Sequence, residues 1–146
     1  MTKQPLLISA CLLGVRCRYD GACKVCAQAS ALAQQYQLIP ICPEQLGGLP
    51  TPRTPAERRG EHVFTKDGRD VTAEYQRGAE EALRLAQLFC CEAAVLKERS
   101  PSCGSGTIYD GSFSSTLCEG YGVCAQILLE HGIAVFGESQ VAALLK

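Results

Sequence analysis

Ten cysteines in 146 residues carry most of the reactive potential of this chain. Thiols at that density serve as disulfide staples, as metal or cluster ligands, or as redox and nucleophilic groups. Staples belong mainly to short secreted domains that follow a secretion signal. The N-terminus has one lysine and then only Leu6–Leu7–Ile8 before Ser9–Ala10–Cys11. That run falls short of the ~7–15 apolar residues such a signal needs. No apolar stretch approaches the ~20 residues of a membrane span. The expectation is a cytoplasmic protein whose thiols are reduced unless something binds them.

The elements that must position these thiols are legible as strands alternating with helices. Leu6–Ala10 is a short apolar run suited to a buried strand, and Val25, Cys26, Ala29, Leu32, Ala33 and Tyr36 form a helical stripe. Leu38–Cys42 is a second strand, placed at an edge because Pro40 removes a ladder donor. Residues 43–70, with four prolines, Gly47–Gly48 and many charges, read as a long functional loop or lid. A helix capped by Asp70 or Thr72 follows, with Val71, Tyr75, Ala79, Ala82, Leu83, Ala86 and Phe89 on one face. Then come a strand at Ala93–Lys97, a Ser/Pro/Gly-rich turn, and a helix striped by Tyr121, Cys124, Ile127, Leu128 and His131. A strand at Ile133–Gly137 and a terminal helix at Ser139–Leu145 close the chain. The pattern predicts one α/β domain over residues 1–146, a mostly parallel open sheet with flanking helices in Rossmann-like layers. Hydrophobic residues at 47%, charged residues at 20% and a net charge of −1 are globular values, and the charge balance implies neither nucleic acid nor membrane as partner.

Open parallel sheets bind ligands beyond the carboxyl ends of their strands, and that rule sorts the cysteines. Cys11 lies just past the first strand, Cys42 ends the second, and Cys103 sits in the turn after the third, so all three are expected on one crest. Glu44 projects to the side of Cys42 if the segment stays extended, and Lys97, Ser100 and Ser102 come from the third loop. Cys90, Cys91, Cys118 and Cys124 read as buried filler. Cys17 is close enough to the crest to ligate. Cys23 and Cys26 form a lone C-x-x-C, a redox or zinc half-site without a second pair. Three thiolates and an acid suit zinc or an iron–sulfur cluster, while the absence of ferredoxin spacing argues against an electron carrier. His131, beside Gly132, reads as a helix C-terminal group, and His62 has no nameable partner. Arg53, Arg58 and Arg59 in the 43–60 stretch are candidates to hold an anionic or carbonyl-bearing ligand, with a solvated face as the other reading of Arg58 and Arg59.

The segments SACLLG (9–14), CRYDG (17–21), CPE (42–44), GLPTPR (48–53), DVT (70–72), LKERSPSCG (96–104) and YDGSF (109–113) resemble the thiouracil desulfidase family along nearly the whole chain. The resemblance implies an oxygen-sensitive 4Fe-4S enzyme that hydrolyses a C–S bond without redox change, converting 2-thiouracil and water to uracil and hydrogen sulfide. It implies Cys11, Cys42 and Cys103 as cluster ligands, Glu44 as catalytic acid, and a catalytic serine, Ser100 in preference to Ser102. Ser102 and Arg53 are then the substrate-binding candidates. The implied partners are a small thiolated base and the iron–sulfur assembly machinery. Two other functions fit the residues: a non-catalytic metal- or cluster-binding module, and a thiol–disulfide enzyme using Cys23 and Cys26.

Overall fold

The computed structural model describes residues 2–146. In chain order the elements are β1 (Gln4–Ser9), a 3-10 turn (Ala10–Leu13), α1 (Ala29–Gln35), β2 (Tyr36–Ile41), α2 (Pro43–Leu46), β3 (Ala56–Arg59), β4 (His62–Thr65) and α3 (Thr72–Leu88). β5 (Ala93–Leu96), β6 (Ser105–Tyr109), β7 (Leu117–Tyr121), α4 (Val123–Glu130), β8 (Ala134–Gly137) and a 3-10 turn (Glu138–Ala143) complete it. Four strands form a parallel sheet in the order β2-β1-β5-β8. This is the expected α/β architecture, and Pro40 lies on an edge strand, the position in a sheet that tolerates a missing N–H.

Leu6, Leu7 and Ile8 of β1 are all fully buried, because both faces of the central strand are covered. Leu7 faces Ala79, Ala82 and Ala86 of α3 and Leu128 of α4. Leu6 and Ile8 face the opposite layer, with Leu12, Leu32 of α1, and Val141 of the final turn. The alternation along one strand therefore separates two cores, each worth about 1.5–3 kcal/mol per large side chain removed from water.

Several expectations change. The 43–70 segment is not a structureless loop: it contains α2 and the antiparallel hairpin β3–β4, with Arg58 paired to Val63 and Arg59 to His62. The turn after β5 runs into a second hairpin, β6–β7, whose weakly alternating SGTIY and LCEGY do not read as strands. Tyr121 accordingly belongs to β7 and is exposed, and Phe89 is exposed past the end of α3. The first helix begins at Ala29 rather than Val25. At the start of α3, Asp70 accepts from the Thr72 backbone N–H at 2.9 Å, while the Thr72 hydroxyl accepts from the Val63 N–H at 2.9 Å.

α2 docks on α3 through two glycines in reciprocal contact. A Cβ on Gly78 would lie 1.8 Å from the Pro43 carbonyl oxygen, and one on Gly47 would lie 1.9 Å from that of Glu74. Neither backbone can yield without separating the helices. Gly78→Ala is expected to destabilise the fold by about 3 kcal/mol, the upper range for overpacking. Chemical denaturation checks this, with the exposed Glu80→Ala as a control expected to stay within about 0.5 kcal/mol.

Candidate active site at the carboxyl edge of the sheet

The chain passes from β1 outward to the edge strand β2, then returns to β5 on the other side of β1. That reversal creates a crevice beyond the carboxyl ends of β1 and β5, the usual ligand position in open α/β sheets. A cavity of about 550 Å³ lies there, lined by Cys11, Cys17, Cys42 and Cys103 together with Glu44, Arg53, Lys97 and Ser100. Cys11 enters from the 3-10 turn after β1, Cys42 from the residue after β2, and Cys103 from the loop after β5. The expected convergence of the trio is what the fold produces, and Cys17 joins it.

Each loop is held locally. The Ser9 hydroxyl accepts from the Lys97 N–H at 3.0 Å and donates toward Cys103 Sγ at 3.5 Å, tying β1 to the third loop. The Ser100 hydroxyl oxygen accepts from the N–H groups of Ser102 and Cys103, both at 3.1 Å. Its own proton remains free to donate, since a hydroxyl has one donor and two acceptor sites. Gly104 closes the turn: a Cβ there would meet the Ile108 side chain at 2.7 Å and the Ser100 carbonyl at 2.8 Å. Cys42 Sγ lies 3.7 Å from the Cys17 carbonyl oxygen.

Glu44 reaches the cavity by a different route from the one expected. The chain turns helical at Pro43, so Glu44 occupies the first turn of α2 instead of continuing an extended strand. Its carboxylate pairs with Arg53 at 3.4 Å, with the side chains only 13% and 6% exposed respectively. Arg53 also donates to the Cys17 carbonyl at 3.0 Å and to Thr51 Oγ1 at 3.0 Å. The guanidinium is thus committed to holding Glu44 and the Cys17 loop. Arg58 and Arg59 do not line the cavity; they donate to the carbonyls of Tyr121 and Gly111, fastening the first hairpin to the second.

Ser102 is not brought to the cavity. It is fully buried behind the loop, packed where a Cβ on Gly122 would lie 2.3 Å from its carbonyl carbon, and its hydroxyl has no partner. Its carbonyl accepts from the N–H groups of Cys124 and Ala125. Cys23 and Cys26 also stay away: Cys26 is buried and donates toward Gln28 at 3.5 Å, and Cys23 is half-buried. Cys91 and Cys124 are buried as expected, whereas Cys90 and Cys118 are exposed. His131 Nδ1 donates to the Ile127 carbonyl at 2.9 Å at the end of α4, as its position beside Gly132 suggests. His62 faces Asp70 at 3.8 Å on the surface.

Several cavity residues had no signal in periodicity or spacing. Glu57, Tyr109, Phe113 and Ser115 arrive on the two hairpins, Tyr109 and Phe113 within the YDGSF segment of the family resemblance, and Tyr75 reads from its spacing as plain core. The Glu57 carboxylate accepts from the N–H groups of Gly111 at 3.0 Å and Phe113 at 3.1 Å, which holds Phe113 at a positive φ of 57°.

The electrostatics favour a guest that accepts electrons from sulfur and is anionic overall once ligated. Burial, with Cys17 and Glu44 adding to it, pushes the Cys11 thiol up to about 12, and burial followed by Glu44 does the same for Cys42. Burial raises Cys103 as well, with Glu44 adding to it. Six basic side chains (Arg18, Lys24, Arg53, Lys66, Lys97 and Arg99) line the cavity against three carboxylates. Among the described residues no group of three or more His, Cys, Asp and Glu side chains is gathered tightly enough for a single metal ion. The thiols are instead found around the walls of the cavity. Ligation requires thiolates, so a bound metal or cluster would have to make ionisation of these thiols favourable.

This is an α/β protein with a thiol-lined crevice at its switch point, and the comparisons place it more narrowly. The profile of the 2-thiouracil desulfurase family matches residues 6–140, and the chain belongs to that family. It is 51% identical to the solved 4Fe-4S-dependent thiouracil desulfidase TudS, with a TM-score of 0.92 over 97% of this chain and 95% of that one. It is 40% identical over 150 residues to YbbK, an uncharacterized protein of Bacillus subtilis (strain 168), across 96% of this chain and 99% of the relative.

In the metal-free protein, Cys11, Cys42 and Cys103 are expected to resist alkylation at pH 8, because thiolate is the reactive form. The exposed Cys90 and Cys118 should be modified at least about tenfold faster. Peptide mass spectrometry after timed iodoacetamide treatment reads this directly, and equal rates would contradict the burial argument.

Proposed function

We propose that this protein is a 4Fe-4S-dependent thiouracil desulfidase, converting 2-thiouracil and water to uracil and hydrogen sulfide, with residues 1–146 working as one domain. The carrying observation is that Cys11, Cys42 and Cys103, from three separate strand ends, share one cavity with Glu44 and Ser100 in a chain 51% identical to such an enzyme. The donor set fits the cofactor. Iron–sulfur clusters take thiolate ligands, and the cavity offers buried sulfurs, a hydroxyl donor to Cys103 and a ring of cations to offset anionic charge.

Cys11, Cys42 and Cys103 would hold the cluster through their thiolates. When bound, the cluster supplies a soft Lewis acid that polarises the thiocarbonyl. Glu44 is the acid–base group: it takes a proton from water attacking the thiocarbonyl carbon and returns one to the departing sulfur or a ring nitrogen. Arg53 fixes the carboxylate that does this, a positioning role in place of direct substrate binding. The free proton of Ser100 is donated to the substrate. No electron enters or leaves, so turnover needs no reductase. No described helix is long and apolar enough to cross a membrane, and a cytoplasmic setting with cluster delivery by the assembly machinery completes the reading.

Cys11→Ser, Cys42→Ser and Cys103→Ser are each expected to lose the cluster, while Cys90→Ser retains it. Glu44→Gln should keep wild-type iron and sulfide content but desulfurise 2-thiouracil about 100-fold more slowly. Ser100→Ala should keep the cluster with a smaller loss of rate. The assay is anaerobic uracil release at matched iron content. Full activity in Glu44→Gln would remove its acid–base role, and a retained cluster in a ligand variant would move that ligand to Cys17.

A further inference from the structure

The mechanism leaves one buried hydroxyl-bearing residue of the cavity wall without an assignment. Tyr75, in the first turns of α3, is 3% exposed, and its ring packs with Val63 and Val71. Among the described residues its hydroxyl makes no hydrogen bond. Buried tyrosine hydroxyls normally find a partner, because an unsatisfied one costs desolvation energy. The hydroxyl is not sealed in, however: the buried side-chain atom without a partner is Ser102 Oγ, so the phenol oxygen retains access to open volume. Tyr75 lines the main cavity and also a smaller one of about 240 Å³, and with Arg53 and Ala56 it forms the wall they share. Its position is not adjustable, because the Gly47–Gly78 contact fixes α3 against the helix that carries Glu44.

We propose that Tyr75 is a substrate-binding residue whose hydroxyl donates a hydrogen bond to the carbonyl oxygen of the thiolated base. The inference rests on the desulfidase reading and adds a specificity contact to it. The charged and thiol groups facing the phenol are Glu44, Arg53, Cys103 and Cys42, and burial followed by Glu44 keeps it protonated, hence a neutral donor. A neutral donor suits a carbonyl oxygen, and the soft sulfur of the same base would be left to the thiol side of the cavity. A site built to hydrogen-bond a substrate oxygen discriminates against analogues lacking it, because the site's own group is then left unpaired.

The test is Tyr75→Phe in anaerobically reconstituted protein, compared with wild type at matched iron content. The Michaelis constant for 2-thiouracil and the dissociation constant for uracil should each rise about tenfold, the scale of one buried hydrogen bond. The turnover number, cluster absorption spectrum and melting temperature should stay near wild type, a split that a merely structural tyrosine would not give. From the substrate side, wild type should prefer 2-thiouracil over 2-thiopyrimidine, which lacks the carbonyl oxygen, and Tyr75→Phe should lose about tenfold of that preference. This comparison in wild type stands even if the variant folds poorly, and no preference there overturns the proposal. Unchanged constants in Tyr75→Phe overturn it, as does an altered cluster spectrum with uracil affinity intact, which would assign Tyr75 to the cluster's surroundings. Wild-type protein that has a complete cluster yet neither binds uracil nor releases sulfide removes the desulfidase reading itself, and this inference with it.

Discussion

The parallel pairing of Leu7 and Ile8 with Ala94 and Val95, at the centre of the sheet, is the contact on which the rest depends. It joins the first strand to one that enters more than eighty residues later, after the chain has gone out to β2 and back. Adjacent strands whose connections leave in opposite directions cannot have their carboxyl ends covered by the same crossover, so a crevice opens there. Cys11 follows one of those strands and Cys103 the other. Ser9, at the end of β1, then ties the two loops together through Lys97 and Cys103. A slip in that pairing would separate the thiols and exchange the two hydrophobic layers, because every side chain of β1 is committed to one face.

Gathering thiols and a carboxylate in a partly dry cavity has an electrostatic cost that the surrounding loops manage. Burial and the Glu44 charge hold the thiols in their neutral form, so ionisation and ligand binding are one linked event. Arg53 offsets Glu44 and, by bonding the Cys17 carbonyl, connects the acid to the loop that carries the fourth thiol. The two hairpins close the far side: Arg58 and Arg59 bind them together, and Glu57 pins the loop that brings Phe113 to the cavity. The long insert between β2 and α3 is therefore a wall of the site, braced by ion pairs and backbone bonds.

The parts of this arrangement governed by periodicity and topology were legible in the sequence. An apolar run such as Leu6–Ile8 can be buried on both faces, strands alternating with helices imply a parallel sheet, and the crest rule then brings together Cys11, Cys42 and Cys103. What escaped depends on tertiary partners. The β3 strand is charged, β4 is short, and β6–β7 lacks alternation, so both hairpins depend on tertiary partners, the packing of Val63 on Val71 and Tyr75 and arginine–carbonyl contacts among them, that are invisible in local pattern. Ser102 lies two residues from Ser100 yet ends up on the far side of the loop, because Ser100 caps the turn and Gly122 receives Ser102 at close range. Tyr75 fits a helical stripe perfectly well as core, and only its unpartnered hydroxyl distinguishes it.

The central claim, that this crevice performs a non-redox desulfuration, is tested most directly by product stoichiometry. Anaerobically reconstituted protein would be given 2-thiouracil without any electron donor, and uracil and sulfide would be measured together over many turnovers. The account predicts equal amounts of the two products, formed at a rate that an added reductant leaves unchanged. Turnover that stops unless electrons are supplied, or a complete cluster that releases neither product, would contradict it.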